Sequence, residues 1–497
     1  MKLNKNHWII IGLFLFSFLI RLIFKNAGLF HWDSYADART IEQIIETGKM
    51  QYSYAYGTPT TIVLIYLFFM IDKLIFGAVK PENAYFFLTF LTAALSVVFL
   101  YLITKKLTKN TFVSVSAALI FSLLPTYLAV TTYPKTHAVE EFFALLGGYL
   151  LLKAREKNQI RNLIFSGLAF GASIGARPFA VLFIVPFALV YLSPKIKDKT
   201  LIIKKDRLSW KKIIIFGASV AIVPILLFLP WWIDKGLADF IATINPKAET
   251  RGGWLGFFSE NTAPSFMSIQ TSLTWFGIAL ALLGAYYLWI KNKRLLLIFL
   301  LLWFGIFFFS IGNLAVVYPR FLIPAVIPIT ILCAIGARTV HKKNKYLGVL
   351  LILILLGMMF AVAYPIINYR HEHSGTKDFA LFTQENTEPN AIIMTNDLGF
   401  FIQWYGNRTI IIHPRSGNDQ EISEFMQELN NYTQNSIPIY ATQEGFGIDP
   451  GSKVLSSINE NYNIILIGER DNEWYGGSEL ELKVYKEKLF KLVPKNQ

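Results

Sequence analysis

The sequence predicts a polytopic α-helical membrane protein carrying a C-terminal extracytoplasmic α/β domain, and three observations lead to that class. Of 497 residues, 54% are hydrophobic and 42 are Phe, with mean hydropathy +0.44, more apolar character than one soluble core needs. Long apolar runs alternate with short Lys/Arg clusters, as spans alternate with cytoplasmic loops. After Pro365 the chain becomes charged and turn-rich, with short β-branched runs between helix-like stretches.

The elements follow in order. Lys2 and Lys5 precede an apolar run from Trp8 to Ile20, which Arg21 closes; no small-residue cleavage site follows, so this reads as a retained first span with its N-terminus inside. A crossing needs about 17 to 25 apolar residues. Beyond 8–24, candidates lie near 85–104, 112–131, 138–152, 213–233, 269–290, 295–316, 321–338 and 346–364. The stretch 163–192 has Arg177 and Pro178 at its middle and basic flanks on both sides. Equal flanks imply an even number of crossings, so it reads as two short helices meeting at Arg177 and Pro178 near the outer face. The total is about eleven crossings. Basic loops at 105–109, 153–161, 195–212, 291–294 and 338–345 then all face inside. The segment 60–79 is apolar enough to cross, but a crossing there would reverse every later loop, so it is assigned to the outer face, lying in or dipping into the bilayer.

Residues 1–365 therefore form the membrane domain, with outer loops at 25–84 and 234–267, and 366–497 form a soluble domain outside. Its strands are expected at AIIMT from 391, TIIIH from 409 and YNIILIG from 462. The net charge of +14 is divided unevenly: residues from Ile366 onward carry 11 basic and 18 acidic side chains, a balance of −7 against +21 before them. Basic residues that punctuate apolar runs are loop charges and make no continuous nucleic-acid face. The one cysteine, Cys333, excludes a disulfide framework and a cysteine zinc cluster. With no GxxxxGK[ST] and no GxGxxG after a strand, nothing points to ATP or a dinucleotide.

Candidate chemistry lies in the outer loops. In LFHWDSYADARTIEQIIETG, Leu29 to Gly48, Asp33 stands four residues before Asp37, so both carboxylates can project from one side of a helix. A carboxylate there can take a proton from an acceptor hydroxyl; equally, Asp33 suits a helix N-cap and Asp37 a solvated first-turn acid. In TTYPKTHAVEE, Thr131 to Glu141, Lys135 and His137 can supply cations to a phosphate headgroup, or Lys135 can snorkel and Glu140 and Glu141 be solvated. Arg177 and Arg320 are guanidinium groups between apolar helices, costly unless they meet an anion or face water. Arg177 can instead bond hairpin carbonyls, and Arg320 can anchor the interface beside Tyr318. Arg251 and Trp254 lie in NPKAETRGGWLGFF, a glycine-containing loop able to close as a flap whose ring stacks on a sugar, or to serve as an ordinary interfacial loop.

The first span, the loop beginning WDSYADA and the GTP turn at Gly57 resemble the start of the GT-C glycosyltransferases that use polyprenyl-phosphate sugars, including protein O-mannosyltransferases and lipid A aminoarabinose transferases. GLAFGASIGARPFAVLFIVP from Gly167, FLPWW from Phe228, VVYPRFLIPAVIP from Val316 and an outer C-terminal domain fit the same pattern, which thus covers the whole chain. The resemblance implies a GT-C fold and an inverting transfer to a hydroxyl acceptor on a glycan, lipid or protein. Asp33 stands at the place of the family's catalytic or acceptor-binding acid. The common family form is Asp-Glu where this chain has Asp33 and Ser34, so Asp37 is a candidate for the second acid. Glu140 or Glu141 matches an acidic position that is a metal ligand in some members, which makes Asp33 and Glu140 the candidates for a divalent metal. Polyprenyl phosphate would leave toward Arg320, Arg177, Lys135 or His137. The competing class is a transporter or flippase with an outer sensor domain, which predicts midplane charges and two related halves; the charges here lie at the boundaries and no halves are related.

Overall fold

The computed structural model describes residues 4–50, 58–157, 159–192, 210–236, 238, 262–312, 318–414, 418–447, 453–473 and 479–495. They form two units, one of Met1–Lys25, Ala36–Asn368 and Ser478–Leu480, the other of Asn26–Tyr35, Tyr369–Gly477 and Glu481–Gln497.

In the membrane unit, α1 (Lys5–Ile23), α2 (Trp32–Thr47, shared with the other unit), α3 (Pro59–Phe76), α4 (Glu82–Thr108), α5 (Thr111–Ser122), α6 (Pro125–Thr131), α7 (His137–Lys157), α8 (Ile160–Ala176), α9 (Ile184–Leu192), α10 (Trp210–Lys235), α11 (Thr262–Ile290), α12 (Arg294–Gly312), α13 (Ile323–His341) and α14 (Lys345–Glu372) follow in chain order. Among the described residues eight helices are long and apolar enough to cross a membrane, or nine if the bent pair α5–α6 is one span. The other apolar segments counted as crossings from the sequence are helices too: α7 opens with charged residues, and α8 and α9 are short. Helix α3, placed on the outer face by loop charge, passes the same test of length and apolarity. It buries Ile62, Ile65 and Phe69 with Tyr85, Leu88, Val139 and Ala176.

Three local devices shape this unit. Proline forces the residue before it toward extended backbone, and Arg177 accordingly sits at φ −155° and ψ 125°, ending α8 before the 3-10 turn Pro178–Phe183. Helices α11 and α13 approach so closely that a Cβ on Gly284 would strike the Leu332 carbonyl, and one on Gly336 the Leu280 carbonyl, a small-residue contact of the kind that packs helices in lipid. Arg21, which the sequence placed as a closing charge, is fully buried. It donates to Thr131 Oγ1 at 2.7 Å and to the Ser17 carbonyl and hydroxyl, both at 2.8 Å, tying α1 to α6.

The second unit contains a five-stranded sheet in the order β2-β1-β3-β5-β4, with β1 (Ile392–Thr395), β2 (Thr409–Ile412), β3 (Ile439–Thr442), β4 (Tyr462–Glu473) and β5 (Val484–Pro494). Strands β1, β2 and β3 are parallel, while β5 runs antiparallel to both β3 and β4. Helices α15 (Gly375–Glu385), α16 (Gly399–Gly406), α17 (Asp419–Gln434), α18 (Gln443–Gly447) and α19 (Lys453–Asn461) complete it. Three strands fall where the sequence placed them. The sequence reading names neither β3 nor β5; β5 carries three lysines, Lys486, Lys488 and Lys491, which make it look like a charged loop.

Candidate active site

Asp33 belongs to the second unit and occupies the second position of α2. It is not the N-cap that one reading of the sequence allowed. His31 fills that place: its Nδ1 accepts from the Asp33 amide at 3.1 Å and its carbonyl accepts from Ser34 at 2.9 Å. Because Nδ1 is used as an acceptor, its 3.5 Å approach to Asp33 Oδ2 is not an ion pair while the ring is neutral. The Asp33 side chain is 25% exposed, whereas the ring of His31 is buried. The strip around Asp33 is held firmly within its own unit. Tyr405 accepts the Leu29 amide at 2.8 Å, Trp32 stacks on Phe400, and Tyr35 meets Phe400, Phe401 and Trp404. The buried Arg370–Glu473 pair, 2.7 Å apart, places its guanidinium 4.0 Å from the Phe30 ring.

Asp37 belongs to the membrane unit and is buried, not solvated. Its two oxygens accept from Tyr85 at 2.7 Å and Thr58 at 3.2 Å.

Arg177, Arg320 and His137 of the membrane unit converge. Arg177 Nη1 lies 2.7 Å from His137 Nε2, and its Nε lies 3.1 Å from Glu140. The Arg177 guanidinium is 5.0 Å from the centre of the Phe321 ring and that of Arg320 is 5.2 Å from it. The His137 ring is nearly parallel to Phe321, with centroids 6.2 Å apart. Arg320 also packs 4.1 Å from the Tyr318 ring and pairs with the buried carboxylate of Glu479. Two arginines and a histidine, 40 to 183 residues apart in sequence, thus gather around one phenyl ring. Among the described residues the Arg177 guanidinium meets Glu140 and His137 rather than hairpin carbonyls.

Lys135 is 1% exposed, so it does not snorkel, and Glu140 and Glu141 are buried rather than solvated. Glu141 takes no hydrogen bond among the described residues. Glu140 is engaged by Arg177, and among the described residues no group of three or more His, Cys, Asp or Glu is arranged to hold a metal ion. Arg251 and Trp254 lie outside the described residues. Sequence reasoning missed Tyr85, Phe321, Tyr405 and Glu479, each of which acts by a contact that no spacing encodes.

The architecture matches known structures over nearly its whole length. ArnT from Cupriavidus metallidurans bound to undecaprenyl phosphate superposes with TM-score 0.60 at 10% identity, covering 98% of each chain. The apo state of that protein gives 0.59 at 10%, covering 97% of each. The chain has the GT-C fold. Arabinofuranosyltransferase AftD from Mycobacteria shares this GT-C architecture with TM-score 0.52 at 11% identity, over all of this chain and 40% of that one. Residues 59–233 match the dolichyl-phosphate-mannose-protein mannosyltransferase family. No curated protein matches by sequence.

Proposed function

We propose that this chain transfers a sugar from a polyprenyl-phosphate-linked donor to a hydroxyl of a glycan, lipid or protein acceptor on the extracytoplasmic face, with inversion. Asp33 takes the proton of the acceptor hydroxyl, the oxygen attacks the anomeric carbon, and the bond to phosphate breaks with its electron pair on the departing phosphate oxygen. Asp33 suits the role because it is partly exposed and sits on a braced strip. Asp37, held by two hydroxyls, positions the helix.

The observation that carries this reading is the approach of Arg177 and Arg320 to Phe321. Guanidinium groups held in a low-dielectric site stabilise charge that develops on a leaving phosphate, and they do so at no cost of reorganisation. His137 supports Arg177, and Lys135 adds a buried cation in the same segment. The family match over 59–233 and the GT-C fold support the donor class. The N-terminus is then cytoplasmic and the α/β domain extracytoplasmic.

Native mass spectrometry of the purified protein tests the reading. A co-purifying polyprenyl-phosphate sugar, retained by Asp33→Asn and lost on Arg320→Gln, is the expected result. Spectra that stay free of such lipids even after they are added would overturn it.

A further inference from the structure

We infer that Glu479 is the resident anion of the donor-phosphate site and exchanges with the phosphate during each cycle; this rests on the donor-site role of Arg320 proposed above. The geometry is that of a captured oxyanion. Glu479 Oε1 meets the Arg320 guanidinium, while Oε2 lies 3.3 Å from the Arg320 backbone nitrogen. One residue therefore holds both carboxylate oxygens, the two-point grip that a phosphate takes from an arginine and a backbone amide. Side-chain exposure is 6% for Arg320 and 2% for Glu479, so the pair is desolvated, and removal of either charge alone would leave the other buried without compensation.

The two arginines at Phe321 differ in how their carboxylates are held. Glu140 stands on α7 beside His137, and its backbone carbonyl accepts from Ser173 at 2.7 Å, so it belongs to the helical frame. Glu479 stands in the connection between β4 and β5, and among the described residues beyond Asn368 only Glu479 and Leu480 group with the membrane unit. Glu479 is thus the carboxylate built to leave. The charges favour exchange. A polyprenyl-phosphate sugar is a phosphodiester with one negative charge, equal to that of the carboxylate it replaces. Once the sugar has left, the phosphate is a monoester of about −1.5 to −2, held more strongly by the same guanidinium groups. Return of Glu479 then competes the product off.

The test is binding of undecaprenyl phosphate to the full-length protein in lipid nanodiscs, for the wild type, Glu479→Gln and Arg320→Gln. If Glu479 fills the site nine-tenths of the time, Glu479→Gln binds about tenfold tighter, while Arg320→Gln loses binding. Equal or weaker binding by Glu479→Gln overturns the exchange. Binding by the wild type that is indifferent to Arg320→Gln overturns the donor-site reading itself, and the exchange with it. Hydrogen exchange on the unaltered protein gives a second readout that does not depend on a variant folding. Added undecaprenyl phosphate should speed exchange at the Glu479 and Leu480 amides; unchanged or slowed exchange overturns the proposal.

Discussion

Arg177 lies 2.7 Å from His137, with Nη1 donating to the ring Nε2 while Nε faces Glu140 at 3.1 Å. The guanidinium is thus aimed by two partners on α7, and its planar fork is what lets it meet both at once. Lysine has no fork. Arg177→Lys should weaken undecaprenyl phosphate binding by about tenfold, roughly 1.4 kcal/mol, with the protein still folded; titration in nanodiscs beside a thermal melt checks this.

Asp33 and Asp37 share α2 but differ in environment, so their variants should separate. Asp33→Asn should lower sugar transfer by about 100-fold or more, since the base is lost, and leave thermal stability near that of the wild type. Asp37→Asn removes the ionic acceptor of Tyr85 and Thr58 and should cost about 1.5–3 kcal/mol per charged hydrogen bond, seen as a fall in Tm. Equal melting temperatures for the two variants would contradict this division of roles.

Tyr405 secures the strip that carries Asp33 by accepting the buried Leu29 amide. Tyr405→Phe leaves that amide unmet at a cost of about 1–3 kcal/mol. The expected outcome is a lower transfer rate with undecaprenyl phosphate affinity unchanged, read by single-turnover kinetics and equilibrium binding.

Glu487 of β5 is pushed up to about 7, chiefly by burial; the nearby Glu444 carboxylate also raises it, while hydrogen bonds from the Glu444 and Gln443 amides and the Tyr485 hydroxyl oppose the shift. The folded state then holds a proton that the unfolded chain has released, so stability falls as pH rises through the window from the ordinary carboxylate value to about 7. Above that window the loss is complete. Glu487→Gln should flatten this part of the Tm profile, measured between about pH 4 and about pH 8; an unchanged profile would refute the assignment.

Gly336 faces the Leu280 carbonyl across the α11–α13 crossing. Gly336→Leu should force the helices apart, at a cost of about 1–3 kcal/mol or more, with a lowered Tm in detergent as the readout.

Much of the architecture was legible in the chain. Apolar run length and basic punctuation reveal a multi-pass protein, and Pro178 marks the break at Arg177 because proline constrains the residue before it. The strands at 392, 409 and 462 stand out by β-branching. The strand at 484 does not, since Lys486, Lys488, Lys491 and Glu487 make a half-exposed strand look like a charged loop. At the candidate site the sequence could nominate Arg177, Arg320 and His137 by the cost of charge beside apolar helices. It could not nominate Phe321 or Glu479, whose residue types are unremarkable where they stand.

What the sequence determined by itself is therefore the class: a run of apolar segments, the break at Arg177 and Pro178, and which charges must find a partner, because each of these follows from local length, period and the cost of desolvation. What only the tertiary structure decided is which partner each charge finds. Arg177 takes His137 and Glu140, Arg320 takes Glu479, and Asp37 takes Tyr85 rather than water. Those pairings span up to 159 residues of chain. Such separations are closed by helix packing, and no local pattern records them.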